Sequence, residues 1–338
     1  MNKTHSYDDV LLVPQYSDVR SRAEIDISSD LGNGVELQLP IIASPMDTIS
    51  ESAMGTAMAS AGAAAIVHRY NDKDEQVRHL SQIRAPAIIG GAIGVSEGYL
   101  DRARALVDAG ATFLCIDMAH GHHLMMKEAL VKLRKVFGDS YHLMAGNVAT
   151  LKGIDDLAAW GADSARCNIG GGSICSTRIQ TGHGLPGLHT IFECAKTQRD
   201  IKIIADGGIK NSGDMVKALA AGADAVMVGS LLAGTTETPG EIQMDSKGAR
   251  WKTYRGMASK EAQINWKGKY SSFEGVATRV PHRGPVAPIL ADLERGIRSG
   301  FSYSGARNLT QLQAKAIFVT QTTSGLSESG THINVRNW

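Results

Sequence analysis

Cysteine, proline and aromatic side chains are all scarce here, and each scarcity removes a class of protein. Only four cysteines occur, Cys115, Cys167, Cys175 and Cys194, and none stands in a CxxC or similar metal-ligand spacing. A disulfide framework is therefore not expected, and the usage suits a reducing cytoplasm. Prolines number 9 against 37 glycines, which asks for many tight turns rather than polyproline segments. No apolar run reaches the roughly 18 residues of a membrane span, and the opening MNKTHSYDDV lacks the apolar core of a signal peptide. Charge of one sign is also missing. With 35 basic against 34 acidic side chains, bulk charge gives no reason to expect a nucleic-acid or anionic-membrane partner.

What the chain does contain is a repeating unit. ASAGAAAIVH, VDAGATFLCID, AAWGADSARCNI and LAAGADAVMVG each run from a helix-like stretch through Gly-Ala into an apolar run. The glycines Gly62, Gly110, Gly161 and Gly222 fit helix caps, and the apolar run after each fits a buried strand. Strands are expected at Pro40–Ser44, Ala63–His68, Ala87–Gly94, Phe113–Met118, His142–Asn147, Ser164–Ile169, Ile201–Ala205 and Ala225–Gly229. Helices are expected at segments such as Glu51–Ser60, Tyr99–Asp108, His123–Val136 and Gly213–Ala221. Even alternation of eight strands with helices predicts a (β/α)8 TIM barrel, and no GxGxxG opens a helix after the first strand to favour a Rossmann domain. The barrel is read as one domain over residues 1–324, with a structureless flap inserted after the eighth strand at about 235–285 and a polar tail over 325–338.

Barrel chemistry belongs to the loops at the strands' carboxyl ends, and here those loops are loaded. Asp206-Gly207-Gly208 after the seventh strand and Gly229-Ser230 after the eighth are suited to a phosphate, because glycine lets backbone N–H groups approach an anion. After the sixth strand comes N-I-G-G-G-S-I-C-S-T-R, residues 168–178. A thiolate is the strongest side-chain nucleophile near neutral pH, so Cys175 on this loop is the candidate nucleophile; the other three cysteines read as structural. A nucleophile needs a proton carrier, and Thr177 beside it and Glu274 in the flap are the candidates. Asp117, ending the fourth strand, must be paired if buried. His120, His122 and His123 are read as surface histidines opening a helix rather than a metal site, and Trp251 and Trp266 as ordinary packing.

SYDDVLLVP, AGNV, GGGSICSTR, ADGGI, YRGM and GIRSGFSYSGA occur in an order that resembles the IMP dehydrogenase/GMP reductase family, over Tyr7 to about Thr320. The resemblance implies a purine-nucleotide enzyme, usually tetrameric, in which the loop cysteine bonds purine C2. The chain has no room for the CBS pair that dehydrogenases usually carry after the second strand. It also lacks, in the flap, the Arg-Tyr dyad with which they activate water, its one Arg-Tyr dipeptide being Arg69-Tyr70. Glu274-Gly275 ahead of Val280-Pro281 is similar to the reductase pattern. The implied reaction is NADPH-dependent conversion of GMP to IMP with release of ammonia; the alternative is a dehydrogenase without CBS domains that oxidises IMP to XMP with NAD.

By the same resemblance, Cys175, Thr177 and Glu274 are catalytic. Asp206, Gly207, Gly208, Gly229 and Ser230 hold the substrate phosphate, with Met257, Ala258, Ser259 and Gly275 near the base. Asp117, Met118, Ala119, Ile169 and Gly170 line the nicotinamide site, while Ser299, Gly300, Ser21 and Arg22 match cofactor positions. Carbonyls at Gly170, Gly172, Cys175 and Arg178 bind a monovalent cation such as K+. Departures occur at Gly171, where the reductase pattern has proline, at Ala258, where it has serine, and at His68, two places before Tyr70, where it has lysine. Ala119-His120-Gly121 is closer to the dehydrogenase version.

Overall fold

The computed structural model describes residues 3–84, 86–269 and 274–330. Eight parallel strands close into a barrel: β1 (Ile41–Ala43), β2 (Ala64–Val67), β3 (Ile89–Ile93), β4 (Phe113–Asp117), β5 (His142–Val148), β6 (Ser164–Cys167), β7 (Lys202–Asp206) and β8 (Ala225–Val228). Each pairs with its chain neighbour, and β8 returns to β1 in the register Val226↔Ile41, Met227↔Ile42 and Val228↔Ala43. Each expected strand is present, with boundaries shifted by at most two residues. The strands are legible because both faces are buried: β2 and β6 contain no exposed residue.

Alternate residues point inward and fill the barrel. Ile42, Ile66, Ala92, Phe113, Cys115, Met144, Ile204 and Met227 form one interior cluster. A side chain on Gly90 would lie 2.5 Å from the Phe113 ring, so that glycine is what admits Phe113. The strands' amino end is closed by the Ser29–Asp30/Glu36–Leu37 hairpin, which adds Leu31, Val35 and Leu37 to the same cluster. Outside lie the helices, among them α1 (Ser52–Ser60), α2 (Lys73–Ser81), α3 (Tyr99–Asp108), α4 (Leu124–Phe137), α5 (Leu151–Ala159), α6 (Gly187–Cys194), α7 (Ser212–Ala220) and, after the flap, α8 (Val286–Tyr303). Asp72, Thr150 and Asn211 cap α2, α5 and α7, each accepting a backbone N–H three residues on. Among the described residues, no helix is long and apolar enough to cross a membrane.

The flap departs from expectation, because it is not structureless. Gln243–Met244, Arg250–Arg255 and Ala277–Pro281 form a three-stranded antiparallel sheet, and Lys260–Lys267 is a helix. The middle strand buries Lys252 and Tyr254 while Thr253 between them faces solvent. That polar alternation hides a strand from a search for apolar runs. Buried Lys252 donates to the carbonyls of Thr235, Thr236 and Thr238 and so pins the sheet to the flap's first turn. Two further contacts tie its root to the loop after β1: Arg255 is bidentate on Asp47 Oδ2, at 2.9 and 2.6 Å, and Thr48 Oγ1 accepts the Arg255 N–H. In the expected polar tail, Thr323–Glu328 is a short helix, while residues 331–338 lie outside the described residues.

Candidate active site

The cysteine loop is fixed by the flap. From Gly172 to Cys175 it makes a turn closed by the Cys175 N–H on the Gly172 carbonyl, 3.1 Å. It then pairs with the flap's returning segment: Ser176 N–H donates to Glu274 O at 2.9 Å and Val276 N–H to Ile174 O at 3.0 Å. This short ladder places the Glu274 side chain over the start of the Thr177–Thr181 helix. The result is a continuous hydrogen-bonded chain whose second link spans 97 positions of sequence: Cys175 Sγ donates to Thr177 Oγ1 at 3.2 Å, and Thr177 Oγ1 to Glu274 Oε2 at 2.8 Å. Cys115, Cys167 and Cys194 are buried, whereas Cys175 is partly accessible. Burial pushes the Cys115 thiol up to about 11, which removes it as a nucleophile near neutral pH.

All three residues line one cavity of about 240 Å³ at the carboxyl ends of the strands. Its opposite wall is made of Asp206, Gly207, Gly208, Gly229 and Ser230. Gly207 and Gly208 both have positive φ, +82° and +75°, and a Cβ on Gly208 would lie 3.1 Å from the Gly171 carbonyl. Only glycine lets this turn back onto the cysteine loop. Tyr254, carried in by the flap sheet, brings its hydroxyl within 3.4 Å of Ser173 Oγ, and it also interacts with Ser230. Hydroxyls from three elements therefore meet beside the glycine turns, a donor set suited to a phosphate.

The other end of the cavity is built on charge. Arg166, in β6, is buried between two acids: Nη1 donates to Asp117 Oδ1 at 2.7 Å, while Nε and Nη2 donate to Asp206 Oδ2 at 3.0 and 2.8 Å. Asn147 Nδ2 also donates to Asp206 Oδ2, at 2.8 Å, so all these bonds fall on one oxygen and leave Oδ1 for a ligand. Asp117 is gripped from its other side by Arg69 Nε at 3.1 Å. Burial alone would raise its proton affinity, but the Arg166 and Arg69 guanidiniums outweigh it and hold the carboxyl below the usual range. Asn168 also lines the cavity; its Oδ1 is buried with no protein partner among the described residues, an acceptor awaiting a donor.

Several expected residues fall elsewhere. Met257, Ala258, Met118, Ala119, Ile169 and Gly170 line the cavity, but Ser259 and Gly275 lie behind its wall. Ser259 is fully buried as the cap of the Lys260–Lys267 helix, and a Cβ on Gly275 would come 3.0 Å from its backbone nitrogen. Ser299 and Gly300 sit in a separate cavity with Leu12 to Pro14, Ser212 and Gly213. Ser21 caps the Arg22–Glu24 turn, and neither Ser21 nor Arg22 lines the main cavity. Of the four carbonyls expected to hold a cation, that of Gly172 already accepts the Cys175 N–H and that of Arg178 the Gly182 N–H. The Arg178 guanidinium lies against Gly170 and donates to the Ile169 and Leu185 carbonyls.

Sequence reading gave no site role to Arg166, Arg69, Asn147, Asn168, Ser173 or Tyr254. Arg166 carried a signal, a charged residue inside the buried run S-A-R-C. The cation sought two places before Tyr70 stands one place before it, as Arg69. His68 instead hydrogen-bonds Glu51 at 3.0 Å and accepts the Tyr70 N–H.

Comparison with known proteins places this geometry. The family model "IMP dehydrogenase / GMP reductase domain" matches residues 4–332. An inosine-5'-monophosphate dehydrogenase of Nitrosopumilus maritimus is 31% identical over 97% of this chain and 98% of its own length. A GMP reductase of Leishmania major is 30% identical over 97% and 96%. The crystal structure of a Trypanosoma brucei GMP reductase variant in complex with guanosine 5'-monophosphate superposes with a TM-score of 0.93 at 29% identity, covering 98% of both chains. The two relatives align over 466 and 475 residues, so a protein of either name carries an insertion this chain lacks.

Proposed function

The chain belongs to the IMP dehydrogenase/GMP reductase family, and from that premise we propose that it reduces GMP. In balance, GMP, NADPH and one proton give IMP, NADP+ and ammonia. The observation that carries the reading is the unbroken chain from Cys175 through Thr177 to Glu274. Cys175 Sγ attacks purine C2 as its proton passes to Thr177 Oγ1, which gives its own to Glu274. Glu274 then protonates the exocyclic amine, the C2–N bond breaks and ammonia leaves. Bound reduced nicotinamide supplies the hydride to C2, after which the C–S bond breaks and Cys175 is restored.

The remaining groups position these atoms. Gly207, Gly208, Gly229, Ser230, Ser173 and Tyr254 hold the nucleotide phosphate, and Asp206, oriented by Arg166 and Asn147, offers its second oxygen to the ribose. Asn168 Oδ1 accepts from the bound ligands, and Asp117 with Met118 and Ala119 forms the wall on the nicotinamide side. In the flap, the acid touching the nucleophile's relay is a carboxylate, and the flap sequence holds no Arg-Tyr dipeptide of the kind the dehydrogenase pattern uses to activate water.

Incubation with GMP and NADPH, and separately with IMP and NAD+, tests the reading. IMP and ammonia from the first are expected. XMP from the second with no turnover in the first assigns the dehydrogenase reaction instead.

A further inference from the structure

Beyond Ala119 the loop after β4 leaves the cavity as His120-Gly121-His122-His123. A cavity of about 240 Å³ is below the usual ~300–1,000 Å³ of small-molecule sites. It cannot enclose a purine nucleotide and a whole dinucleotide together, so the distal half of the dinucleotide must run out over the rim. The histidine loop is that rim on one side, seated on β5 where a Cβ at Gly121 would lie 2.9 Å from Gly146. On the other side is His183, after the cysteine loop. Its neighbour Gly184 packs against Ile169, itself a cavity residue: a Cβ on Gly184 would lie 2.8 Å from the Ile169 carbonyl.

Each ring has an atom to offer. His123 accepts the Met125 N–H on Nδ1 at 3.1 Å, so its Nε2 carries a proton to donate outward. His183 donates Nδ1–H to the Thr181 carbonyl at 2.8 Å and leaves Nε2 open to a proton. His122 donates Nε2–H to Asp156 at 2.7 Å, leaving Nδ1 open. His120 is exposed and makes no hydrogen bond among the described residues; its ring meets His122 edge-on, centroids 6.4 Å apart. From α5, Asp156 is also paired with Lys152 at 2.9 Å, and the Trp160 ring packs 5.8 Å from His122. Among the described residues, the one carboxylate in contact with the rim is thus already neutralised.

We propose that His120, His122, His123 and His183 form a phosphate subsite for the dinucleotide, one that takes up protons as the anion binds. The proposal rests on the reading that this site takes a dinucleotide, which both reactions of the family require. Its physical basis is the gathering of imidazoles at one rim, where the His120 and His122 ring centroids lie 6.4 Å apart. Partial desolvation, and then the charges of His122, His123 and His183, keep protons off His120. A phosphate anion among the rings reverses that repulsion and favours the protonated forms. By linkage, affinity then rises as pH falls through the imidazole range.

The test is equilibrium binding of NAD+ and NADP+ at about pH 6.5 and about pH 8, which is measurable whichever reaction the enzyme runs. Wild-type protein is expected to bind about fivefold tighter at the lower pH. A rise shared by NAD+ assigns the diphosphate; a rise with NADP+ alone assigns the 2′-phosphate. The pair His120→Gln with His183→Gln should remove the dependence. The pair His120→Lys with His183→Lys should bind tightly at both pH values, an outcome that a merely structural role would not give. Equal affinity at the two pH values in the wild type, or an undiminished rise in the glutamine pair, overturns the proposal.

Discussion

The acids of the barrel and the acid of the flap are held in opposite ways. Asp117 and Asp206 sit on barrel strands with guanidinium groups on them, Arg166 between the two and Arg69 beyond. Glu274 arrives on a flap segment and its carboxylate touches the Thr177 hydroxyl, a neutral donor, at 2.8 Å. A carboxylate locked between arginines is a fixed charge that orients a ligand and does not trade protons near neutral pH. One bound to a hydroxyl in series with a thiol lies on the path that the nucleophile's proton would take. In the proposed reaction the barrel supplies electrostatics and the flap acid–base chemistry, and the cysteine loop joins them because it is hydrogen-bonded to the flap while resting on the glycine turns.

Breaking that division should show in different observables. Cys175→Ala removes the nucleophile and should lower turnover on the order of 10^4-fold. Glu274→Gln keeps the shape of the flap but not its proton, and should lower kcat by about 10²–10⁴ with GMP still bound. A Glu274→Gln enzyme with wild-type kcat would place the proton carrier elsewhere. On the barrel side, Arg166→Met leaves the partly buried Asp117 and Asp206 with reduced compensation. Loss of one partner of a buried pair costs about 3–5 kcal/mol, so the variant should unfold at clearly lower denaturant concentration; an unchanged midpoint would show that the arginine is dispensable to the fold.

The smallest expected effect is the acid limb of wild-type stability. Asp117 has a folded-state proton affinity below its unfolded one, so its contribution is fully present above the unfolded value of about 3.9. It is lost as pH falls below that toward the folded value. Denaturation midpoints measured downward from about pH 5 should therefore decline, and Asp117→Asn should flatten the decline.

Legibility followed the same division. Eight strands could be read because buried parallel strands are continuous apolar runs, and Cys175 and Thr177 because they are neighbours on one loop. Glu274 was legible as an acid in the flap and as part of a motif resemblance; the ladder from Ser176 to Glu274 that makes it a neighbour is invisible in sequence. The arginine network could not be read for that reason too. Arg166 meets Asp117 across 49 positions and Asp206 across 40, and only barrel closure brings them together. The flap sheet escaped notice because its strands are short and polar, and Tyr254, which that sheet carries to Ser173, escaped with it. Ser259 and Gly275 matched a pattern that concerns the wall's construction more than its surface.

The most direct measurement is a mass balance on GMP and NADPH with the wild-type enzyme. Equal amounts of IMP, ammonia and NADP+ are expected, with none formed by Cys175→Ala. NADPH left unoxidised, while IMP and NAD+ yield XMP on the same protein, would contradict the assignment of Glu274 as the acid that expels ammonia.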